Sequence, residues 1–533
     1  MRSPQRPAQR CASIAATLCV TALLTCCAGP SQGAAVAVTE APSAPPPEPT
    51  AATPGTFAAG ACLFALPEEL EGDSGPDCGI LWVPENWENP RSDALLRLAV
   101  AILRGDEGAA GADSAGTVIY LAGGPGASVL ESLRYGVPPA FEAVRASGHD
   151  LVLFDQRGVG RSRPALDCPE TAALALDLAD RELAGREVSR SEAMSLVVEG
   201  FVACGEDLGR IADLAAYNSV QSAHDVAALH QALDLDPVTL WGGSYGTRLA
   251  LEVMRSHPDG IGSVILDAVY PPDVDLYVEA PANFDRALQT LFARCDANSV
   301  CSERFPDLAT IFYETVARLN EEPVPADLID LLSGEEIPSI VDGDVLVGLV
   351  FQLLYSTEAK LLVPELIYDA AQDDFAALSN IRSSLLVQQS LASRGMMFSV
   401  QCREEIAFSS IGAAKTSSDG YPELGGTFAH GLLGTLTYQV CNGWDAGRAD
   451  PRANEPVRSP IPTLVMSGEF DPITPPAWGE RVAQTLETAY VFEFPGIGHG
   501  ASSADGCPRE IFLAFLADPT DPPDSSCLDH ATH

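Results

Sequence analysis

The chain has 533 residues, of which 31 are Lys or Arg and 73 are Asp or Glu, so its formal net charge is −42. A field this negative argues against nucleic acid and anionic membrane surfaces as partners. The length is enough to bury a large core and allows about two to four domains. Hydrophobic residues make up 46% of the chain and charged residues 20%, which is typical of soluble globular proteins.

Residues 1–28 are predicted to be a targeting segment. Arginines precede an apolar run that begins at Cys11 and is too short, and too interrupted by Ser and Thr, to span a membrane. A leucine shortly before Cys26 and Cys27 resembles a bacterial lipoprotein processing site, so either cysteine could carry a lipid that tethers the chain to a membrane. Plain secretory cleavage near Ala28 is the alternative. Both predict export to the periplasm, the cell surface or the medium.

The cysteine count also points to export. Of the 14 cysteines, four lie in the targeting segment and ten follow it. An even number in an exported chain indicates disulfides, although spacing alone does not settle their connectivity. No Cys-x-x-Cys or His-x-x-x-His cluster suggests a structural metal, and no cofactor is expected. Pairing of near neighbours predicts Cys62–Cys78, Cys168–Cys204, Cys295–Cys301, Cys402–Cys441 and Cys507–Cys527.

The rest of the chain divides by pattern into a linker, a core and an insertion. Residues 29–60 are rich in Ala, Pro, Ser and Thr and predict an extended linker. Strand-type runs alternate with helices in 61–271 and return in 441–533, whereas 272–440 is mostly helical. Alternation of this kind predicts an α/β fold with a mostly parallel central sheet flanked by helices. The helical insertion is then a cap placed before the last strands.

The predicted elements follow one another in chain order. Strands are predicted at Cys78–Pro84, Leu95–Leu103, Thr117–Leu121, Asp150–Phe154, Pro237–Leu240, Ser263–Leu266, Pro462–Met466 and Ala489–Phe494. Helices are predicted at Ser219–Leu233, Asn283–Arg294, Leu308–Leu319, Leu346–Leu354 and Glu510–Leu516. Ligands of open parallel sheets bind at the carboxyl ends of the strands, so polar residues at those ends are the first candidates for a site.

The sequence Gly-x-Ser-x-Gly, centred on Ser244, lies between one of these strands and a helix. The close succession of strand, turn and helix forces a tight bend at the serine, and the flanking glycines leave room for it. This context predicts a nucleophile whose hydroxyl is exposed above the sheet. A glycine-rich turn without chemistry is the alternative.

A serine hydroxyl needs a base, and the base needs a carboxylate that fixes its tautomer. Asp471 and His499 each follow one of the last two predicted strands. The chain order Ser244, Asp471, His499 is that of α/β-hydrolases. Taken singly, Asp471 could be a turn residue before proline, and His499 could be a loop residue between glycines.

Acyl transfer also requires donors for the developing oxyanion. The backbone N–H of Tyr245, directly after the serine, is one candidate, and that of Gly124 in the glycine loop after another strand is the second. A simple turn is the alternative for the Gly124 loop. Asp155, Arg157 and Ser162, which follow the next strand, are expected to brace this edge of the sheet.

Four motifs together resemble the proline iminopeptidase and tripeptidyl aminopeptidase family of α/β-hydrolases. They are Leu-Ala-Gly-Gly-Pro-Gly from Leu121, Asp-Gln-Arg-Gly-Val-Gly-Arg-Ser from Asp155, Gly-Gly-Ser-Tyr-Gly-Thr from Gly242 and Gly-Glu-Phe-Asp-Pro-Ile-Thr-Pro from Gly468. The resemblance implies removal of N-terminal residues or short peptides, with the cap closing one end of the cleft. Ala122 replaces the histidine usual in proline iminopeptidases, which favours the secreted tripeptidyl-aminopeptidase-like branch.

An aminopeptidase must also hold a protonated α-amine. Residues 400–405 resemble the family segment after the cap, in which a cysteine precedes acidic residues. Glu404 and Glu405 are therefore the predicted amine anchors. The alternatives are that both side chains are solvated or that they pair with Arg403.

These patterns predict an exported serine hydrolase. The favoured activity is that of an aminopeptidase that forms an acyl-enzyme on Ser244, so that its partner is a peptide or another small acyl substrate. A carboxylesterase or lactonase with the same triad is the first alternative. A non-catalytic binding protein on a hydrolase scaffold is the second.

Overall fold

The structure is a computed structural model in which the folded body begins just before residue 56. The targeting segment predicted at 1–28 and most of the predicted linker lie outside the described residues. The described residues are 53–71, 75–91, 94–106, 115–171, 174, 190–329, 334–389 and 392–530.

The body is organised on a nine-stranded sheet with the strand order β1-β2-β3-β5-β4-β6-β7-β12-β13. The pairs from β5 through β4, β6, β7 and β12 to β13 are parallel, whereas β1, β2 and β3 add to the β5 edge in antiparallel fashion. The strands are β1 Thr56–Ala59, β2 Asp77–Pro84, β3 Leu95–Leu103, β4 Gly116–Leu121, β5 His149–Phe154, β6 Val238–Gly243, β7 Ile261–Asp267, β12 Thr463–Gly468 and β13 Ala489–Phe494.

All eight predicted strands are present. The prediction that residues 29–60 form a linker is wrong for its last residues, which belong to the sheet. Thr56–Ala59 form β1, which pairs with β2. The approach is close, since a side-chain carbon on Gly79 would lie 2.4 Å from the ring of Phe57. A four-residue edge strand has little burial of its own, so its sequence lacks the apolar run that identifies an interior strand.

The helices cover the sheet and build the insertion. They are α1 Val129–Ser132, α2 Pro139–Ala146, α3 Arg190–Leu208, α4 Ser219–Ala232, α5 Tyr245–Ser256, α6 Leu276–Ala297, α7 Ser299–Arg304, α8 Leu308–Glu321, α9 Gly343–Tyr355, α10 Val363–Ala371, α11 Ala376–Gln389, α12 Arg394–Glu404, α13 Ile411–Asp419, α14 Gly425–His430, α15 Thr435–Cys441, α16 Pro476–Ala483 and α17 Cys507–Ala517. Helices α6 to α15 lie between β7 and β12 in the chain, where the sequence predicts the cap.

Acidic and amide side chains begin several of these helices. Asn218, Asp275 and Asp342 accept hydrogen bonds from the first turns of α4, α6 and α9, respectively. Such caps satisfy N–H groups that have no partner within the helix. The insertion also contains two short antiparallel strand pairs, β8 Val324–Pro325 with β11 Ile340–Val341 and β9 Leu328–Ile329 with β10 Glu336–Ile337. The sequence does not predict these strands, because a strand of two residues carries no periodicity.

Two apolar clusters form the core, one on each face of the sheet. Successive strand residues point to opposite faces, so Leu240 belongs to one cluster and Trp241 to the other. The Leu240 cluster also contains Leu249 of α5 together with Phe284 and Phe351 of the cap helices. The cap and the sheet therefore share one continuous core, which fixes the cap above the helix that follows Ser244.

The ten cysteines of the folded body form five disulfides, and every predicted pair is confirmed. Bridges of this number are typical of proteins that fold in an oxidising compartment. Within the described residues, no helix combines the length and the apolar character that a bilayer crossing requires.

The predicted bracing loop is held by a buried ion pair. Arg157 is fully buried and Asp225 is 1% exposed, and two guanidinium nitrogens of Arg157 donate to the carboxylate at 2.7 Å. The same guanidinium donates to the backbone carbonyls of Glu85 and Ala216, which joins the strand-exit loop to the segments on both sides. Removal of one partner would leave an unpaired buried charge, which is costly.

We expect Asp225→Ala to lower the free energy of unfolding by about 3–5 kcal/mol, because Arg157 then has no counter-charge. Denaturant unfolding of the purified protein measures this change. Glu365→Ala is the matched control, since it breaks the solvent-exposed pair with Arg304 and should cost about 1 kcal/mol or less. Equal losses in the two variants would contradict the bracing role.

Candidate active site

Ser244 occupies the tight bend between β6 and α5, with φ 54° and ψ −123°. A non-glycine residue with positive φ is uncommon and costs of order 1–3 kcal/mol, so the surroundings must hold it in place. The backbone N–H of Ser244 donates to the carbonyl of Asp267 at 2.9 Å, which ties the bend to the end of β7.

The glycines of the motif allow three backbone segments to meet. A side-chain carbon on Gly246 would lie 1.9 Å from the carbonyl oxygen of Leu121, and one on Gly242 would lie 2.5 Å from the carbonyl oxygen of Gly246. Neither distance is sterically possible. The bend is therefore pressed against the end of β4, and Ser244 faces the glycine loop that follows it.

Asp471 and His499 lie together at the ends of β12 and β13. The Nδ1–H of His499 donates to Oδ2 of Asp471 at 2.8 Å. The Asp471 carboxylate also accepts the backbone N–H groups of Ile473 and Thr474 and the Thr474 hydroxyl, at 3.0, 2.8 and 2.7 Å. The carboxylate is fully buried, and this set of donors fixes both its charge and its orientation.

The electrostatics of the pair suit a general base. Burial alone would raise the pKa of Asp471, but the charge and hydrogen bond of His499 lower it below its ordinary value. Burial alone would lower the pKa of His499, whereas the hydrogen-bonded charge of Asp471 and the nearby charge of Asp267 raise it. Asp471 is therefore ionised and stabilises a proton on the ring.

Ser244 and His499 are connected through the end of β7. The carbonyl of Asp267 accepts from the Ser244 N–H, and its carboxylate accepts from the N–H groups of Ala501 and Ser502, at 2.8 Å each. Among the described residues, no hydrogen bond joins the Ser244 hydroxyl to the His499 ring. In unliganded sites this bond is often long and tightens when substrate binds.

The predicted oxyanion donors lie beside the serine. Tyr245 is the first residue of α5, so its N–H has no partner within the helix. Within the described residues, the N–H of Gly124 also has no hydrogen-bond partner. A side-chain carbon on the adjacent Gly123 would lie 3.6 Å from the Ser244 hydroxyl oxygen. The glycine loop thus lies beside the serine hydroxyl, and the roles of Gly124 and Tyr245 as oxyanion donors stay predictions.

The cap contacts the loops that carry Asp471 and His499. The Arg286 guanidinium on α6 donates to the carbonyl of Asp471 at 2.6 Å. The His499 N–H donates to the carbonyl of Tyr355 at 2.8 Å, and the rings of these two residues lie 4.7 Å apart. The N–H of Gly498 donates to the Thr357 hydroxyl at 3.1 Å. The cap therefore holds the acid loop and the histidine loop in place.

Glu404 and Glu405 are buried and bound to Arg248 of α5, not to Arg403. The Glu404 carboxylate also accepts the N–H and the hydroxyl of Ser219, at 2.5 and 2.7 Å. Burial raises the pKa of Glu405 to about 7, against the opposing charge of Arg248. The two carboxylates thus already have partners, and their role as amine anchors stays a prediction.

Several residues of the site were missed in the sequence. Asp267, Arg286 and Tyr355 reach it from elements far away in the chain, and nothing local distinguishes them. Thr474 could have been found, because an Asp followed three residues later by Thr is a pattern of side-chain capped turns. Among the described residues, no group of three or more His, Cys, Asp or Glu side chains is arranged to hold a metal ion.

Comparison with known proteins agrees with this geometry. Residues 116–321 match the family described as alpha/beta hydrolase fold, and residues 432–527 match the family described as TAP-like protein. The serine protease Hip1 of Mycobacterium tuberculosis is 26% identical over 471 residues, which span 84% of this chain and 86% of that protein.

Two further proteins show a more limited similarity. The tripeptidyl aminopeptidase of Streptomyces coelicolor is 29% identical over 214 residues, which span 40% of this chain and 38% of that protein. The crystal structure of MGS-M2, an alpha/beta hydrolase from a deep-sea metagenome, covers 80% of this chain and 94% of its own at 13% identity and a TM-score of 0.35. Given the sheet order of this chain and the two family matches, it has the α/β-hydrolase fold and is a hydrolase, and its C-terminal part matches the TAP-like family.

Proposed function

We propose that the chain is an exported serine peptidase that releases N-terminal residues or short peptides. The observation that carries the proposal is the Asp471–His499 hydrogen bond of 2.8 Å, in a site whose histidine loop Asp267 joins to the strained bend at Ser244. Acyl transfer requires a base oriented by a buried carboxylate, a serine hydroxyl that substrate can reach and N–H donors for the oxyanion. Ser244 is partly exposed, and the N–H groups of Gly124 and Tyr245 are the proposed donors.

Each group then has a defined task in the reaction. The Ser244 hydroxyl oxygen attacks the scissile carbonyl while the unprotonated nitrogen of His499 takes its proton. The negative oxygen of the tetrahedral intermediate accepts from the N–H groups of Gly124 and Tyr245. As the intermediate collapses, His499 gives the proton to the leaving amine. Water then attacks the acyl-enzyme while His499 takes a proton from it, and His499 returns this proton to the Ser244 oxygen as the acyl group leaves. Asp471 keeps the ring in the productive tautomer throughout.

The choice of a peptidase rests on the relatives. Hip1, which aligns with most of the chain, is named a serine protease. The Streptomyces coelicolor relative, which aligns with part of the chain, is named a tripeptidyl aminopeptidase. The same triad also cleaves esters and lactones, so substrate assays must separate the two classes. Export rests on the five disulfides, and a lipid tether on Cys26 or Cys27 rests on the sequence pattern.

The first test removes the nucleophile. We expect Ser244→Ala to abolish labelling by a fluorophosphonate probe and to lower the hydrolysis rate by about 10⁴-fold or more, because no other group can form the acyl-enzyme. Ser467→Ala is the matched control, since the Ser467 hydroxyl is buried and has no hydrogen-bond partner in the part of the chain that the structure describes. Persistent labelling of Ser244→Ala would show that the nucleophile lies elsewhere.

The pH profile tests the base. Activity should fall as the pH drops through the pKa of His499, because the ring must be neutral to accept the serine proton. Since that pKa is raised, the midpoint of the acid limb should lie above about 6.5, the ordinary imidazole value. Asp471→Asn should lower the rate by about 10⁴-fold. A wild-type acid limb centred near pH 4 would instead indicate a carboxylate base.

The substrate amine separates a peptidase that acts at N-termini from an esterase. We expect tripeptidyl p-nitroanilides with a free amine to be cleaved, and the N-acetylated forms to lose at least about 10-fold in kcat/KM, because acetylation removes the positive charge that an amine anchor would bind. Paired assays on short acyl p-nitrophenyl esters complete the comparison. Ester cleavage with no dependence on the free amine would support the esterase alternative.

A further inference from the structure

Asp267, the last residue of β7, is a buried carboxylate that the triad does not contain. Its side chain is 2% exposed. It accepts the N–H of Ala501 and the N–H of Ser502 at 2.8 Å each, and it also accepts the Ser502 hydroxyl. Burial raises the pKa of Asp267 above its ordinary value, and the hydrogen bonds from Ser502 and Ala501 oppose this effect. Because each of these contacts is made by a donor, the hydrogen-bond geometry favours the ionised form of the carboxylate.

The same residue contacts the nucleophile through its backbone. The carbonyl oxygen of Asp267 accepts the N–H of Ser244 at 2.9 Å. Ala501 lies two residues after His499, in the histidine loop. Asp267 therefore binds the nucleophile bend with its main chain and the histidine loop with its side chain. These two segments lie more than 230 residues apart in the chain. Their relative position therefore depends directly on Asp267.

The charge of Asp267 also acts on the imidazole. The ionisable side chains around His499 are Asp471 on the acid loop, Asp267 on β7 and Tyr355 on α9, with Arg286 of α6 behind the acid loop. Asp267 raises the pKa of His499, in addition to the larger effect of Asp471. The ring thus faces two carboxylates, of which only Asp471 is hydrogen-bonded to it.

A second tyrosine faces Asp267 from below the bend. Burial, together with the charge of Asp267, raises the pKa of Tyr120 well above its ordinary value, so this phenol is neutral. A side-chain carbon on Gly243 would lie 3.2 Å from its hydroxyl. No basic side chain is among the hydrogen-bond or ion-pair partners of Asp267 within the described residues, so no ion pair offsets its negative charge near the imidazole.

We propose that Asp267 is a positioning residue of the reaction, which fixes the histidine loop against the nucleophile bend and supplies a second negative charge to the imidazole of His499. The proposal rests on the function proposed for Ser244 and His499. The positioning role predicts an effect on the rate at which Ser244 reacts. The charge predicts an effect on the protonation of His499. The two effects require different substitutions.

Asp267→Asn tests the charge and Asp267→Glu tests the position, with the pH dependence of fluorophosphonate labelling of the full chain as the readout. We expect Asp267→Asn to lower the maximal labelling rate at least about 10-fold and to move the acid limb to lower pH, since loss of a negative charge lowers the pKa of the base. Asp267→Glu should lower the rate and leave the limb in place. Ser502→Ala keeps the charge and should also leave the limb in place.

An acid limb that does not move in Asp267→Asn, or that moves equally in Ser502→Ala, would overturn the role of the charge. An unchanged maximal labelling rate in Asp267→Glu would overturn the positioning role. If circular dichroism shows that Asp267→Asn does not fold, the labelling rate of Asp267→Glu decides whether the proposal stands. Ser244→Ala in the same assay keeps the two proposals apart. Labelling that survives in Ser244→Ala refutes the proposed function, whereas changes confined to the Asp267 variants concern the positioning residue alone.

Discussion

The structure depends on one steric constraint, the close approach of the Ser244 bend to the end of β4. A side-chain carbon on Gly246 would overlap the carbonyl of Leu121 at 1.9 Å. The bend can therefore contact the end of β4 only because residue 246 is a glycine. The contact holds Ser244 at a positive φ and brings its hydroxyl beside the glycine loop. Preorganisation of this kind would place the proposed nucleophile and oxyanion donors before substrate arrives.

The remaining groups of the site are held by elements that are distant in sequence. Arg286 and Tyr355 of the cap bind the loops of Asp471 and His499, and Asp267 joins the histidine loop to the nucleophile bend. The cap shares its apolar core with the helix that follows Ser244. It therefore supports the catalytic loops as well as covering the sheet edge, and substitutions deep in the cap should affect the base.

The sequence predicts the interior strands, because their apolar runs are long and end at glycines or polar turns. It also predicts that Asp471 and His499 meet at one edge, because parallel strands place their exits there, and these two residues are hydrogen-bonded. The role of Ser244, Asp471 and His499 as a triad stays a prediction. It does not predict β1, which is short and mostly exposed. Nor does it predict the pairing of Glu404 and Glu405 with Arg248, more than 150 residues away in the chain, since ion-pair partners leave no periodic pattern in a sequence.

The central claim is that the Ser244 hydroxyl, the His499 imidazole and two backbone N–H groups converge on one reacting atom. A crystal structure of the phosphonylated enzyme tests this convergence most directly. The account predicts phosphorus bonded to the Ser244 oxygen and His499 within hydrogen-bond reach of that oxygen. It also predicts a phosphoryl oxygen about 2.7–3.1 Å from the nitrogens of Gly124 and Tyr245. Phosphorus on another residue, or a phosphoryl oxygen that faces away from both nitrogens, would contradict it.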